Sequence, residues 1–388
     1  MYTLLILIIY LAFISLGLPD SLLGSSWPVM HSEIGVSLSY MGVISMLVSG
    51  GTIISSLLSD KATRKFGTNI VTTFSVFLTA IALLGFSYSS NLFMIIIFSI
   101  PYGLGAGAID AALNNYVAIH YSSKHMSWLH CFWGVGTIIS PFVMSYSLTN
   151  STWNDGYRII AFIQLGIGLI LLLTLPIWKV NKSEEFSQDD RKSQKSLGVI
   201  DSLKIKGVPS LLIGFFAYCA AEGTAMAWSC TYLVEAKNMS EPIAAAFASM
   251  FFIGMTVGRF LGGFFMNKLG DKKMISIGTT IIFVGIILMF ISTSIPTLSL
   301  VGLIVIGLGC APIYPCIIHS TPSNFGAENS GAIIGIQMAS AYTGATFIPP
   351  LFGIIGKYLG FEIFPTYILI FTVLMIIMLN KTFKSTTK

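Results

Sequence analysis

Twelve apolar runs, each about the length that crosses a bilayer, dictate what this 388-residue chain can become. A membrane-crossing helix needs roughly 20 mostly apolar residues. Such runs lie at about 3–26, 39–59, 69–88, 92–119, 128–148 and 157–178, and then at about 208–235, 242–266, 274–293, 297–318, 330–356 and 363–380. Six runs, a polar gap and six more predict an all-α membrane protein of twelve transmembrane helices. No run alternates apolar and polar residues for long, so the pattern argues against a β-barrel.

Charge is as scarce as that reading requires. Asp, Glu, Lys and Arg make up 10% of the chain, against about a quarter in a soluble domain. Twelve of them crowd into Lys179–Lys206, leaving too few elsewhere to coat a soluble surface. A cytosolic enzyme, a disordered chain and a nucleic-acid binder are thereby excluded. The net charge of +5 says less than its placement. If both termini are cytoplasmic, the inner loops and tail hold 17 of the 21 Lys and Arg, the outer loops keep Arg158, Lys237 and Lys357, and Arg259 falls within a span. That bias predicts a multi-pass protein of the cytoplasmic membrane with both ends inside. The segment 179–207 reads as a solvated cytoplasmic linker between a six-helix bundle at 1–178 and another at 208–388. The first run has no basic residue before it and no clear small-residue cleavage site, which argues for a span rather than a signal peptide. Five cysteines sit inside apolar runs without a Cys-x-x-Cys pair, so neither a metal nor a cofactor is expected.

The two halves repeat each other. SSLLSDKATRKFG (55–67) follows the second run and GGFFMNKLGDKK (262–273) follows the eighth. The second loop closely matches the signature Gly-x-x-x-Asp-Arg-x-Gly-x-Arg-Arg of the major facilitator superfamily, through Gly263, Asn267, Lys268, Gly270, Lys272 and Lys273, with Asn in place of Asp. The first keeps Asp60, Lys61, Arg64, Lys65 and Gly67, but has Ser56 for Gly and a longer spacing. Asp20 and Glu222, Trp27 and Trp228, Gly103 to Gly105 and Gly307 to Gly309, and Gly136 with Pro141 and Gly344 with Pro349 recur in the same order. Parallel repeats of this kind are a transporter architecture, and over essentially its whole length the chain resembles that superfamily. The resemblance implies two six-helix pseudo-repeats, with the loop residues gating: a carboxylate at the inner end of the second helix, Asp60, caps a neighbouring helix and pairs with loop Arg or Lys, and small residues one turn earlier let helices approach.

Ionisable residues inside spans demand a reason, since each costs at least ~2.5–3.5 kcal/mol at the bilayer centre on insertion scales. Asp20, Asp110, His130, Glu222 and Arg259 are such residues; Arg259 is read as structural, snorkelling or pairing locally. On a helix, Gly103, Gly107, Asp110 and Asn114 share one face within about 60°. The same stretch contains Gly-x-Gly-x-x-Ala, but with no preceding strand it is not a dinucleotide site. Pro19 before Asp20 should kink the first span. His130 belongs to WLHCFWGVGTIISP, and Pro312 and Pro315 should interrupt the tenth span. A carboxylate in an apolar cavity can take up and release a proton, coupling occupancy to conformation. A static buried pair of Asp110 and His130, joining the fourth and fifth spans, is the competing reading.

A fourth span carrying Asp followed four residues on by Asn, with an Asp in the first span, is similar to the fucose-permease branch. The Leu-His-x-x-x-Gly-x-Gly…Pro pattern of the fifth is closer to its sodium-dependent glucose-transporter-like relatives. The resemblance implies that Asp20 and Asp110 handle the coupling ion and that Asn114 binds solute hydroxyls; His130 and Glu222, ionisable within spans, are further coupling candidates, and Asn115 is a further solute-binding candidate. Trp27, Trp133, Trp228 and Tyr314, with Gln337 in the eleventh span, are candidates for solute contact; packing is the competing role for each aromatic. The function so implied is a symporter moving a sugar-like solute with H+ or Na+ by alternating access, acting as a monomer in the lipid bilayer. Proton-driven drug or metabolite efflux is the alternative. Enzyme motifs such as His-Glu-x-x-His, Gly-x-Ser-x-Gly and the Walker lysine loop do not occur.

Overall fold

A computed structural model of the chain describes residues 2–37, 40–178, 197–239, 241–292 and 297–386. Among the described residues there is no strand, and twelve helices are long and apolar enough to cross a membrane. Spans 1 to 6 are Thr3–Trp27, Tyr40–Phe66, Thr68–Ser87, Leu92–His120, Ser123–Asn150 and Trp153–Leu173. Spans 7 to 12 are Val208–Glu235, Met250–Leu269, Asp271–Ile291, Thr297–His319, Ala327–Leu359 and Phe361–Thr386. Number and order match the apolar runs. Span 5 starts five residues before its run, because the polar stretch Ser123–Ser127 is already helical. Span 6 starts and ends earlier than its run, whose last residues form a 3-10 turn at 175–178.

Two compact units result, one of Met1–Tyr116 with Leu129–Gly198 and the other of Val117–Trp128 with Val199–Lys388. The segment Val117–Trp128 thus precedes the linker in sequence but packs within the second unit. Residues 179–196 of the expected linker lie outside the described residues, and near its end Val199–Lys204 forms a six-residue helix.

Glycines set the helix spacing in both units, and they do so at repeated positions. A Cβ on Gly103 of span 4 would run into the Val48 carbonyl of span 2, as one on Gly307 of span 10 would into the Phe251 carbonyl on the helix of span 8. Gly105 likewise abuts Ser75 and Gly309 abuts Gly278. Gly136 of span 5 lies against the Ile14 carbonyl of span 1, and Gly344 of span 11 against the Phe216 carbonyl of span 7. Within lipid, apolar burial does not draw helices together, so such backbone-on-backbone contact is the main source of cohesion. Gly107, which shares a helix face with Asp110, is pressed onto Thr52 and Ser55 of span 2. Its face is a packing surface at that level.

Two spans are broken. Helix Tyr2–Gly17 stops before Leu18 and resumes at Leu22, as Pro19 requires. Ser140 donates to the Leu18 carbonyl and Ser21 Oγ to the Thr137 carbonyl (2.7 Å), stitching the break to span 5. Span 10 divides between Cys310 and Ile313. Pro312 marks that break, whereas Pro315 lies within the second piece.

Candidate transport site

In the first unit the break in span 1 displays Asp20 at an exposed position. Its two oxygens are held by different spans: Tyr102 of span 4 donates to Oδ1 at 2.9 Å, and the Trp133 indole of span 5 donates to Oδ2 at 2.8 Å. Both donors are neutral, and no ion pair involves Asp20 among the described residues. Tyr102 escaped the sequence reading because a tyrosine in an apolar run carries no signal until its partner, 82 residues away, is known.

Deeper in the same unit lies a buried polar string. Asn114 Nδ2 donates to Asp110 Oδ1 at 2.7 Å, and His130 Nε2 lies 3.1 Å from Asn114 Oδ1. Since the amide nitrogen faces a carboxylate, its oxygen is left to accept, which assigns the hydrogen on Nε2 to His130. Asp110, Asn114 and His130 are all buried, and Phe13 closes edge-on against the imidazole. Asp110 and His130 therefore communicate through Asn114, a member that neither the coupling nor the static-pair expectation had placed between them. Asn115, next along, is half-buried.

In the second unit the corresponding carboxylate, Glu222 of span 7, has a different partner set. Tyr218 Oη donates to Glu222 Oε1 at 2.8 Å and also reaches the Cys310 carbonyl at 2.9 Å, where span 10 breaks. Arg259 of span 8 pairs with the same carboxylate oxygen at 3.5 Å. Arg259 is thus a buried, locally paired residue, 4% exposed.

The aromatic and amide candidates are placed unevenly. Trp133 holds Asp20, and Tyr314 is half-buried, 3.4 Å from Met338 Sδ and tilted against Phe215. Trp27 is 1% exposed and sits beside His31. Trp228 donates to the Pro349 carbonyl and stacks on Phe361. Gln337 is fully buried and accepts from Thr321. Trp27 and Gln337 are thus buried, and Trp228 is half-buried.

The loop residues divide in the same way. Asp60 accepts both hydrogen bonds of an ion pair with Arg64 (2.9 and 3.1 Å), Lys61 is exposed, and Lys65 lies over Phe66. Asn267 accepts the backbone N–H of Lys124 at 3.2 Å, in the first turn of the helix Ser123–Asn150, and so caps that helix. Gly263 lies under the Trp128 indole, whose N–H donates to the Phe260 carbonyl. Lys268 is exposed and Lys272 lies over the Phe383 ring. Around this cap stands a cluster the sequence did not reveal. Ser123 donates to Asp271 Oδ1 (2.7 Å), His319 Nδ1 meets Asp271 Oδ2 (2.7 Å), and His319 Nε2 faces the Tyr121 carbonyl (3.1 Å).

Twelve helices long and apolar enough to cross a membrane, in two glycine-packed units with one carboxylate exposed at the break in span 1, are the architecture of a membrane transporter. The family model of the Major Facilitator Superfamily matches residues 9–246 and 210–385, and the chain belongs to that family. Among curated relatives, the Glucose/mannose transporter GlcP of Bacillus subtilis is 23% identical over 350 residues, covering 89% of this chain and 86% of that one. Bypass of stop codon protein 6 of Saccharomyces cerevisiae is 21% identical over 389 residues, covering 91% and 77%. Among solved structures, the Major Facilitator Superfamily transporter FucP in the outward conformation superimposes with a TM-score of 0.78 at 16% identity, covering 99% of both chains. That likeness is one of fold.

Proposed function

We propose that this transporter carries a small sugar-like solute across the cytoplasmic membrane by alternating access, in symport with H+ or Na+. The observation that carries the reading is Asp20, an exposed carboxylate on a broken span, held by neutral donors from two other spans. A group so placed is able to change its charge balance when an ion arrives, which a transport cycle needs. The string Asp110–Asn114–His130 behind it supplies a second carboxylate linked to an imidazole. The name of the Bacillus subtilis relative, a glucose/mannose transporter, supports the solute class. In this reading both termini are cytoplasmic, the bundles 1–178 and 208–388 are the moving parts, and 179–207 joins them on the inner side.

The test uses purified protein in liposomes, screened for uptake of monosaccharides and disaccharides under separately imposed proton and sodium gradients. Accumulation of a sugar under one gradient is the expected result. Absence of any sugar flux, together with gradient-driven extrusion of lipophilic compounds, would turn the reading to efflux. Asp110→Asn is expected to abolish gradient-driven accumulation while leaving solute exchange measurable; loss of solute binding instead would remove Asp110 from coupling.

A further inference from the structure

His319 ends the second piece of span 10, and both of its ring nitrogens face acceptors. Nδ1 lies 2.7 Å from Oδ2 of Asp271, the first residue of span 9, and Nε2 lies 3.1 Å from the Tyr121 carbonyl. A neutral imidazole carries one N–H and one lone pair. With the hydrogen on Nδ1, the lone pair of Nε2 would meet a carbonyl oxygen. With it on Nε2, the lone pair of Nδ1 would meet a carboxylate. The imidazolium, with a hydrogen on each nitrogen, serves both contacts. Ser123 fits the same state: its hydroxyl donates to Asp271 Oδ1 at 2.7 Å, which leaves its oxygen to accept from Nδ1 at 3.0 Å. Among the described residues, Asp271 is the charged side chain that acts on His319. Cys316, on the same helix, also leans on Asp271. The lysines of these elements turn elsewhere, Lys272 to Phe383 and Lys124 to Trp128 and Phe264, while Lys273 is exposed.

What this cation holds is the segment Val117–Trp128, which packs within the second unit although it joins spans 4 and 5. Those two spans carry Tyr102, Asp110, Asn114, His130 and Trp133. The segment's other holds do not titrate near neutrality: Asn267 caps Lys124, and the Arg259 and Phe260 carbonyls accept from Ser127 and Trp128. Its own imidazoles are His120, half-buried, and His125, set against the rings of Tyr121 and Trp128. An unperturbed imidazole changes charge near neutral pH. We infer that His319 is a pH-sensitive latch: protonated, it ties segment 117–128 to Asp271, and neutral, it gives up one of its two acceptors and the segment loosens. The latch is therefore closed on the acid side and opens as the pH rises through the titration of His319. That the pH it senses is cytoplasmic rests on the proposed orientation, with both termini inside. An alkaline cytoplasm would free the link between the two spans of the candidate site, a regulatory input separate from the coupling ion.

The test is deuterium uptake by the full-length protein in lipid nanodiscs, with no solute added. Uptake over residues 117–128 is followed from about pH 5 to about pH 9 and corrected for the intrinsic pH dependence of amide exchange. Protection of the segment is expected to fall about tenfold in one step within that range. His319→Gln is expected to lower the protection at acid pH and to abolish the step, which His120→Gln and His125→Gln leave in place. Asn267→Ala is expected to lower protection at every pH and to keep the step. A native profile without a step would overturn the inference, as would a step that survives in His319→Gln. Where His319→Gln does not fold, the other two histidine variants decide, since loss of the step in either would overturn it. Because no solute is present, failure of the symport reading and failure of the latch are told apart.

Discussion

Asp20 and Glu222 stand at corresponding places in the two repeats, yet they are held by partners of different kinds. Asp20 is exposed and leans on a phenol and an indole from spans 4 and 5. Glu222 is 12% exposed, shares a tyrosine with the broken carbonyl of Cys310, and is neutralised by Arg259. One carboxylate has no ion pair among the described residues; the other belongs to a set of donor, acceptor and counter-ion. A duplicated fold has therefore kept its glycine spacing and divided its chemistry. The carboxylate of the first unit is held by neutral donors alone among the described residues, and that of the second is ion-paired; in the proposed function the first is the one that changes its charge.

The sharpest way to break that comparison is to remove the scaffold charge. Arg259→Leu leaves Glu222 buried without its cation, and such a loss costs about 3–5 kcal/mol. A marked fall in thermal stability in detergent is expected, with partial recovery in Arg259→Leu/Glu222→Gln; a double variant no better than the single would dissolve the pair as a unit. Next in size is Gly107→Val, which forces a side chain into Thr52 and Ser55. Overpacking of this kind costs about 1–3 kcal/mol, and a normal melting curve would show that spans 2 and 4 have room to separate. Asn267→Ala removes the cap on Lys124 and is expected to cost ~1 kcal/mol, read as faster proteolysis within residues 117–128. The smallest stability effect is expected for Asp20→Asn, within about 1 kcal/mol, because the amide oxygen still accepts from the Trp133 N–H and the amide NH2 can donate to the Tyr102 hydroxyl. That same variant is expected to lose gradient-driven accumulation entirely. Unaltered accumulation would erase the distinction between the two carboxylates.

Much of the fold could be read from the chain because lipid enforces it. Apolar runs near 20 residues must be helices, and Pro19 and Pro312 break theirs as expected. Boundaries failed where helices leave the apolar zone, as at Ser123–Ser127, since polar residues there remain helical in water. The carboxylates were legible because a charge in a span is conspicuous; their partners were not. Tyr102 and His319 are ordinary residues whose meaning comes from neighbours distant in sequence, whereas Tyr218, four residues from Glu222, shares its helix face. The shared face of Gly103, Gly107, Asp110 and Asn114 was visible as periodicity, but periodicity does not say which part of a face meets another helix. Span 2 takes the glycines, while Asn114 turns to His130.

The segment Val117–Trp128 bears on how the protein is made. Ribosomes deliver Ser123, Lys124, Ser127 and Trp128 long before Asp271, Asn267, Arg259 and Phe260, the residues they bind. The later helices thus emerge with part of their own unit already waiting in the membrane. A gene divided at the linker would yield a second polypeptide that lacks this piece and leaves Asp271 and His319 uncovered. Such a fragment depends on its sister chain to complete itself.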